Sequence, residues 1–258
     1  MRDLKALIFD VDGTLADTEK DGHRVAFNRA FEHAGLDWNW SVDLYEKLLK
    51  ITGGKERIRY YLDDFHKEFK RPSDLDEFIA GLHASKTTFF TQMLSEGVIP
   101  LRPGVKRLIN EARKSGLRLA IATTTTPANV SSLLSHALDK DAESWFEVIA
   151  AGDIVPAKKP APDIYTYALK ELGLDAGECL AFEDSHNGIL SSRGSDLATI
   201  ITINDYTREH DFTGAAIVLD TMGEPDSAFK VIAGMQTDAT YLDVKLLQEI
   251  HAWSVKQA

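Results

Sequence analysis

Four apolar residues, Ala6-Leu7-Ile8-Phe9, stop at an acid, Asp10. A run this short and apolar, bounded by turn residues, is the pattern of a buried strand. Asp12 follows, then Gly13-Thr14, then Asp17. Two carboxylates therefore lie two residues apart, just past the end of a predicted central strand. In an open parallel sheet that end is where ligands bind. Acids so close repel each other unless a proton or a cation sits between them. A solvated acidic turn is the alternative, and the rest of the chain decides between the two.

After Asp17 the pattern turns helical. Phe27, Ala30, Phe31 and Ala34 keep i, i+3, i+4, i+7 spacing, and Gly35 is a natural stop. Trp38 and Trp40 follow in a loop expected to pack on that helix. Leu44, Leu48 and Ile51 predict a second helix, a third runs over 55–69, and a long one over 75–94. From Thr18 to Glu96 there is no convincing strand. From Val98 onward strand and helix alternate, with strands predicted at 117–122, 146–150, 179–182, 198–203 and 215–219. A terminal helix carries Leu242, Leu246, Ile250 and Trp253. Alternation of this kind predicts an α/β fold on a parallel sheet. The expected domains are an α/β core, 1–16 with 97–258, and an inserted small α-helical cap, 17–96. The loops of such a sheet gather at one edge. Four of them carry polar residues: Asp10-Asp12, Thr123-Thr124, Lys158-Lys159 and Glu183-Asp184.

At 258 residues the chain can form one large domain or two modest ones. Its net charge of -11 disfavours a nucleic-acid or anionic-membrane surface, and neither partner is expected. An anionic small molecule stays open, because a local group of cations can override the global field. No apolar run approaches a membrane span. The single cysteine, Cys179, allows no intrachain disulfide, which fits a reducing compartment. Its apolar run marks it as a buried small hydrophobe. Asp3 interrupts any signal-peptide pattern, so the expected location is cytoplasmic, or the plastid stroma if a transit peptide was removed. The chain is expected to act as a monomer.

Four segments together resemble the motifs of the haloacid dehalogenase-like hydrolase superfamily. They are Asp10-Val11-Asp12-Gly13-Thr14, Thr123, Lys159-Pro160-Ala161-Pro162-Asp163, and Glu183-Asp184-Ser185 with Gly188. The helical insert after the first motif resembles that superfamily's small cap, and the resemblance implies a Rossmann-like core. Within it the chain is similar to CbbY-like sugar-phosphate phosphatases. That likeness is carried by Glu19, His23, Trp38, Tyr45, Thr52-Gly53-Gly54-Lys55-Glu56-Arg57, Leu101-Arg102-Pro103-Gly104, Ala122-Thr123-Thr124-Thr125 and Ala150-Ala151-Gly152-Asp153. It implies a sugar phosphate as substrate, with xylulose 1,5-bisphosphate the foremost candidate.

The chemistry follows from the residue types. A phosphate monoester is doubly negative, so an anionic nucleophile needs its repulsion cancelled. Mg²⁺ does this with oxygen ligands. Asp10 and Asp184 supply carboxylates from two strand ends, and the resemblance adds the backbone carbonyl of Asp12. Asp10 is the expected nucleophile, forming an aspartyl phosphate, and Asp12 the proton carrier. The Thr123 hydroxyl, the Thr124 N–H and Lys159 would hold the phosphoryl oxygens. Glu183 either ligates the metal or orients Lys159 or a metal-bound water. Lys158 falls to solvent, Asp17 is read as a structural residue capping the first cap helix, and Arg102 is a further candidate for the site. In the cap, Gly53-Gly54 lets backbone approach an anion closely, Lys55 and Arg57 add positive charge, and Glu19, His23 and Tyr45 suit sugar hydroxyls.

Other functions are weighed against this one. A β-phosphoglucomutase-type isomerase would share core and cap, but its cap loop differs from the Gly53–Arg57 segment. A dehalogenase would lack Asp12, and a silent binding protein would not need all four motifs. One departure from the family is Asp196, near a position usually held by Gly. With Gly194 two residues earlier, a rearranged helix end is expected there.

Overall fold

The structure, a computed structural model, describes residues 3–51 and 53–256. Thr52, part of the glycine-rich run named above, lies outside the described residues. The chain divides into two compact units, Met1–Asp17 with Pro100–Ala258, and Thr18–Ile99. The sequence reading placed these breaks at 17 and 96. Ile99 belongs with the helices because its side chain lies against Gly22, beside Phe90.

The first unit is built on a seven-stranded sheet. In chain order its strands are β1 (Ala6–Phe9), β2 (Arg118–Ala122), β3 (Val148–Ala150), β4 (Cys179–Glu183), β5 (Ala198–Thr202), β6 (Ile217–Leu219) and β7 (Val231–Gly234). They lie in the order β3-β2-β1-β4-β5-β6-β7. All neighbours run parallel except β7, which is antiparallel to β6. β1 is the central strand the apolar run predicts, and each of its four residues is fully buried. β7 was not anticipated. Its residues are half-buried to exposed and show no alternation, so neither burial nor period marks it. Pairing with β6, irregular between Val218 and Leu219, is what makes it a strand.

The helices of this unit are short. Those flanking the site are α5 (Val105–Lys114), α6 (Pro127–Leu133), α7 (Asp163–Leu172) and α8 (His186–Arg193), and α9 (Val244–Val255) closes the chain. α7 comes close to the sheet because small residues face it, Ala6, Ala120, Ala122, Cys179 and Ala181, beside Tyr165 and Ala168 of its own. Cys179 is buried there as expected, and burial pushes its thiol up to about 12. The end of α8 is not rearranged as anticipated. Gly194 stays right-handed at φ -61, and Asp196 itself takes the left-handed φ of 58.

The second unit has helices joined by loops and no strand among its described residues. A π-helical turn, Thr18–His23, runs into α1 (Arg24–His33), followed by α2 (Val42–Leu48), α3 (Gly54–Tyr60) and α4 (Leu75–Ser95). α1 packs along α4. The two tryptophans pack on α1 as read, Trp40 on Phe27 at 4.7 Å and Trp38 edge-on to Phe31 at 5.2 Å. The third helix ends earlier than 69. After α3 a π-helical turn closes at Phe65, and His66 leaves with φ -141. Arg71 donates to the Leu62 carbonyl at 3.1 Å and to Asp63 at 2.8 Å, serving carbonyl and carboxylate groups that the helix end leaves open.

Candidate active site

The C-terminal ends of β1, β2, β4 and β5 converge. β1 delivers Asp10, and the loop behind it folds back through Gly13 N–H to Ala16 O at 2.8 Å and Leu15 N–H to Val11 O at 2.9 Å. Gly13 has φ 87, and a Cβ there would meet the Asp184 carboxylate and the Asn204 amide. Only glycine therefore lets this loop pass the fourth strand's acids. Arg102 holds the loop from outside. It is buried and donates to the carbonyls of Gly13, Thr202, Ile203 and Asp220, with its Nε 3.4 Å from Asp17 Oδ1. Asp17 thus faces Arg102, and both are struts of the loop.

Lys159 is the cation of the site. Its Nζ donates to Asp10 Oδ1 at 2.6 Å, Glu183 Oε1 at 2.6 Å and Ala122 O at 2.8 Å, so its three N–H bonds all have protein acceptors. Burial works against the ammonium charge, but the Asp10 and Glu183 carboxylates outweigh it and hold Lys159 above its ordinary value. Lys158 is exposed and pairs with Asp153 at 2.8 Å, away from this group.

Glu183 is buried and accepts from Lys159, from Tyr165 Oη at 2.6 Å and from the Asp184 N–H at 3.3 Å. Burial pushes it up to about 7, against the pull of Lys159. Gly188 is required beneath it, because a Cβ there would overlap the Glu183 carboxylate. Asp184 is pushed well above the usual carboxylate range, by burial first and then by the charges of Asp10 and Glu183. One carboxylate oxygen from each of Asp10, Glu183 and Asp184 falls within 4.8 Å of the others, a group that could hold a metal ion. A cation there relieves the repulsion that raises Asp184.

Thr123, at the end of β2, is buried, and its hydroxyl accepts the Thr125 N–H at 3.3 Å. That leaves its O–H proton to donate. Thr124 is exposed, and Asp12 is half-buried in the loop.

The helical unit gathers a second polar group. Arg57 Nη1 donates to Tyr45 Oη at 2.7 Å, and Tyr45 donates to Glu19 Oε2 at 2.7 Å. Lys86 Nζ lies 2.8 Å from His23 Nδ1, over the rings of Phe27 and Phe90. Burial, with Lys86 and Arg57 nearby, pushes His23 down to about 4 against the pull of Glu19, so the ring is neutral and accepts from Lys86. Burial works against the Glu19 carboxylate, but the charges of Arg57 and Lys86 and the Tyr45 hydroxyl, joined by His23 where that ring is protonated, keep it below its usual value. Arg57 is buried, yet its Nε has no hydrogen-bond partner among the described residues. The glycine segment differs from the rest of the group. Gly53 and Lys55 are exposed, and Gly54 is small because a Cβ would meet the His83 ring at 2.5 Å.

Three site residues escaped the sequence reading. Tyr165, on α7, carries nothing in the sequence to set it apart from any helix aromatic. Lys86 interrupts the apolar stripe Leu82, Phe90 at spacing four, a signal that could have found it. Asn204 follows β5 at the same sheet edge as the motifs, and the loop rule applied to them reaches it too.

This fold and this centre define a hydrolase of the phosphatase class on a Rossmann-like core, and the chain belongs to the haloacid dehalogenase-like hydrolase family, whose model matches residues 4–196. It is 52% identical over 213 residues to CbbY of Rhodobacter capsulatus, covering 83% of this chain and 91% of that one. It is 47% identical over 222 residues to the plasmid CbbY of Cupriavidus necator, covering 86% and 87%. A crystal structure of a CbbY variant from Rhodobacter sphaeroides in complex with xylulose 1,5-bisphosphate matches with a TM-score of 0.69 at 44% identity, over 84% of this chain and 94% of that one.

Proposed function

We propose that this chain is a Mg²⁺-dependent phosphatase that hydrolyses a sugar bisphosphate, xylulose 1,5-bisphosphate or a close analogue, through an aspartyl phosphate on Asp10. The observation that carries the reading is Asp10 itself, buried at a strand end, held at 2.6 Å by Lys159 and grouped with Asp184 and Glu183. The donor set suits Mg²⁺, since it offers hard oxygens from carboxylates that repel one another. Asp10 and Asp184, with the Asp12 carbonyl, would hold it. When bound, it supplies charge that offsets the repulsion between nucleophile and phosphate dianion.

Asp10 attacks phosphorus as the bond to the sugar oxygen breaks, and Asp12 gives that oxygen a proton. Asp12 then takes a proton from water, whose oxygen displaces Asp10 and frees inorganic phosphate. Lys159 exchanges one of its acceptors for a phosphoryl oxygen, and the Thr123 O–H and Thr124 N–H donate to others. Glu183 anchors Lys159 throughout.

The helical unit selects the sugar. Arg57, with an unused Nε, suits a second phosphate, and Glu19, Tyr45 and His23 suit hydroxyls. The Gly53-Gly54-Lys55 segment, which leads into Arg57, is assigned to the same second phosphate. The CbbY complex with xylulose 1,5-bisphosphate supports a bisphosphate as substrate.

The test is phosphate release from a set of sugar mono- and bisphosphates in Mg²⁺. Asp10→Asn is expected to abolish release with the circular dichroism unchanged. Release that persists in that variant, or after EDTA treatment, sinks the mechanism. Interconversion of hexose phosphates without free phosphate would make the chain an isomerase.

A further inference from the structure

Asn204 lies just past β5 in a closed turn. Its N–H donates to Thr207 Oγ1 at 3.0 Å, and the Thr207 N–H returns to the Asn204 carbonyl at 3.2 Å. Its side-chain Oδ1 accepts the Tyr206 N–H at 2.9 Å, which orients the amide without ambiguity. Nδ2 must then face Asp184, and it donates to Oδ2 at 2.7 Å. Gly13 leaves room for this pair, because a Cβ there would lie 2.7 Å from Asp184 Cγ and 2.8 Å from Asn204 Nδ2. Across the centre Lys159 engages Asp10 Oδ1 in the same manner, at 2.6 Å. Each aspartate of the centre thus has one oxygen committed to a protein N–H.

That commitment bears on which cation fits. Ca²⁺ takes six to eight oxygens and often binds carboxylates through both, whereas Mg²⁺ takes six in tight octahedral geometry. For Asp184 to turn both oxygens to one cation, the carboxylate must rotate its Oδ2 off the line to Asn204 Nδ2, which weakens a hydrogen bond that is 2.7 Å long. We infer that Asn204 is a positioning residue that keeps Asp184 a one-oxygen ligand and so makes the centre favour Mg²⁺ over Ca²⁺. The inference rests on the metal-dependent reading above.

Calorimetric titration of chelator-treated protein with Mg²⁺ and with Ca²⁺ gives the two Kd values directly, without turnover. Asn204→Ala removes the whole amide. Asn204→Asp keeps the acceptor for the Tyr206 N–H and so keeps the turn, but loses the donor to Asp184. In both, the ratio of Ca²⁺ to Mg²⁺ dissociation constants is expected to fall roughly tenfold, the size of one hydrogen bond to a charged group. An unchanged ratio in a variant that melts like the wild type overturns the inference. A calcium-soaked crystal of the wild-type protein decides independently of any variant. Asp184 binding through one oxygen supports the inference, and binding through two overturns it. If wild-type protein binds neither cation, the metal-dependent reading itself fails, a result distinct from an unchanged ratio.

Discussion

Lys159 is where charge matters most at the scale of one residue. It neutralises two buried carboxylates, and the reaction asks it to hold a phosphoryl oxygen as well. Lys159→Met is expected to lower kcat by about 10²–10³, the loss typical of one group that stabilises transition-state charge. It should also lower the melting temperature, because it leaves buried acids uncompensated. Steady-state kinetics well below that temperature separates the two effects. Asp196 stands apart as the single non-glycine with positive φ among the described residues. Asp196→Gly is expected to raise stability by about 0.5–1 kcal/mol, read as a higher melting temperature with kcat unchanged. The acids were legible because they stand at or just past strand ends, while Thr123 and Lys159 were read from the resemblance to the family's motifs, Lys159 lying in the long loop after β3. Tyr165 was not legible, because its role lies in the partner its side chain meets, Glu183, and spacing does not show that; the loop after β5 pointed to the place of Asn204 but not to its partner, Asp184.

At the scale of elements, α4 contributes more than an apolar stripe. Lys86 projects from it onto His23, in the turn before α1, and keeps that ring neutral in company with burial. Glu19, Arg57, Lys86 and His83 are the charged or titratable groups whose fields reach His23. The folded pKa of about 4 lies below the ordinary 6.5. Between those values the unfolded chain takes up a proton that the folded chain refuses. Stability from this residue is therefore full above pH 6.5, falls as pH drops toward 4, and then levels. His23→Gln is expected to flatten the stability–pH curve in that window, by at most about 1.4 kcal/mol per pH unit. Denaturant melts of both proteins from pH 4 to 7.5 read the difference, and parallel curves would show that His23 does not titrate this way. Where the period was strong the reading came close: α4, expected over 75–94, runs Leu75–Ser95, and α1 ends at His33, just before the expected stop at Gly35. The third helix was drawn too long because the apolar pattern continues through Phe69, while the chain leaves the helix at His66 to let Arg71 reach Leu62.

On the scale of the molecule, the sequence passes between two units at Asp17 and again at Pro100. The helical unit has its own aromatic core. Trp40 is fully buried against Phe27, Phe31 and Tyr61, at ring distances of 4.7, 4.9 and 5.4 Å. Trp40→Ala is expected to cost about 3–5 kcal/mol within that unit. Hydrogen exchange should then show lost protection in α1 and α4 with β1 and β4 unchanged. Protection lost equally in the strands would mean that the units unfold together.

By itself the sequence determined the α/β class, the buried strand beneath Asp10, the helical insertion and the four polar loops. Each of these is local, a matter of period, turn residues and the acid or base at a strand end. Tertiary structure decided what comes from elsewhere in the chain. It made β7 a strand through pairing with β6, set Arg102 among four carbonyls, raised Asp184 by burial and then by the company of Asp10 and Glu183, and aimed Asn204 at one of its oxygens. Burial and partnership depend on residues far apart in sequence, and Asn204 and Asp184 meet only once β4 and β5 lie side by side.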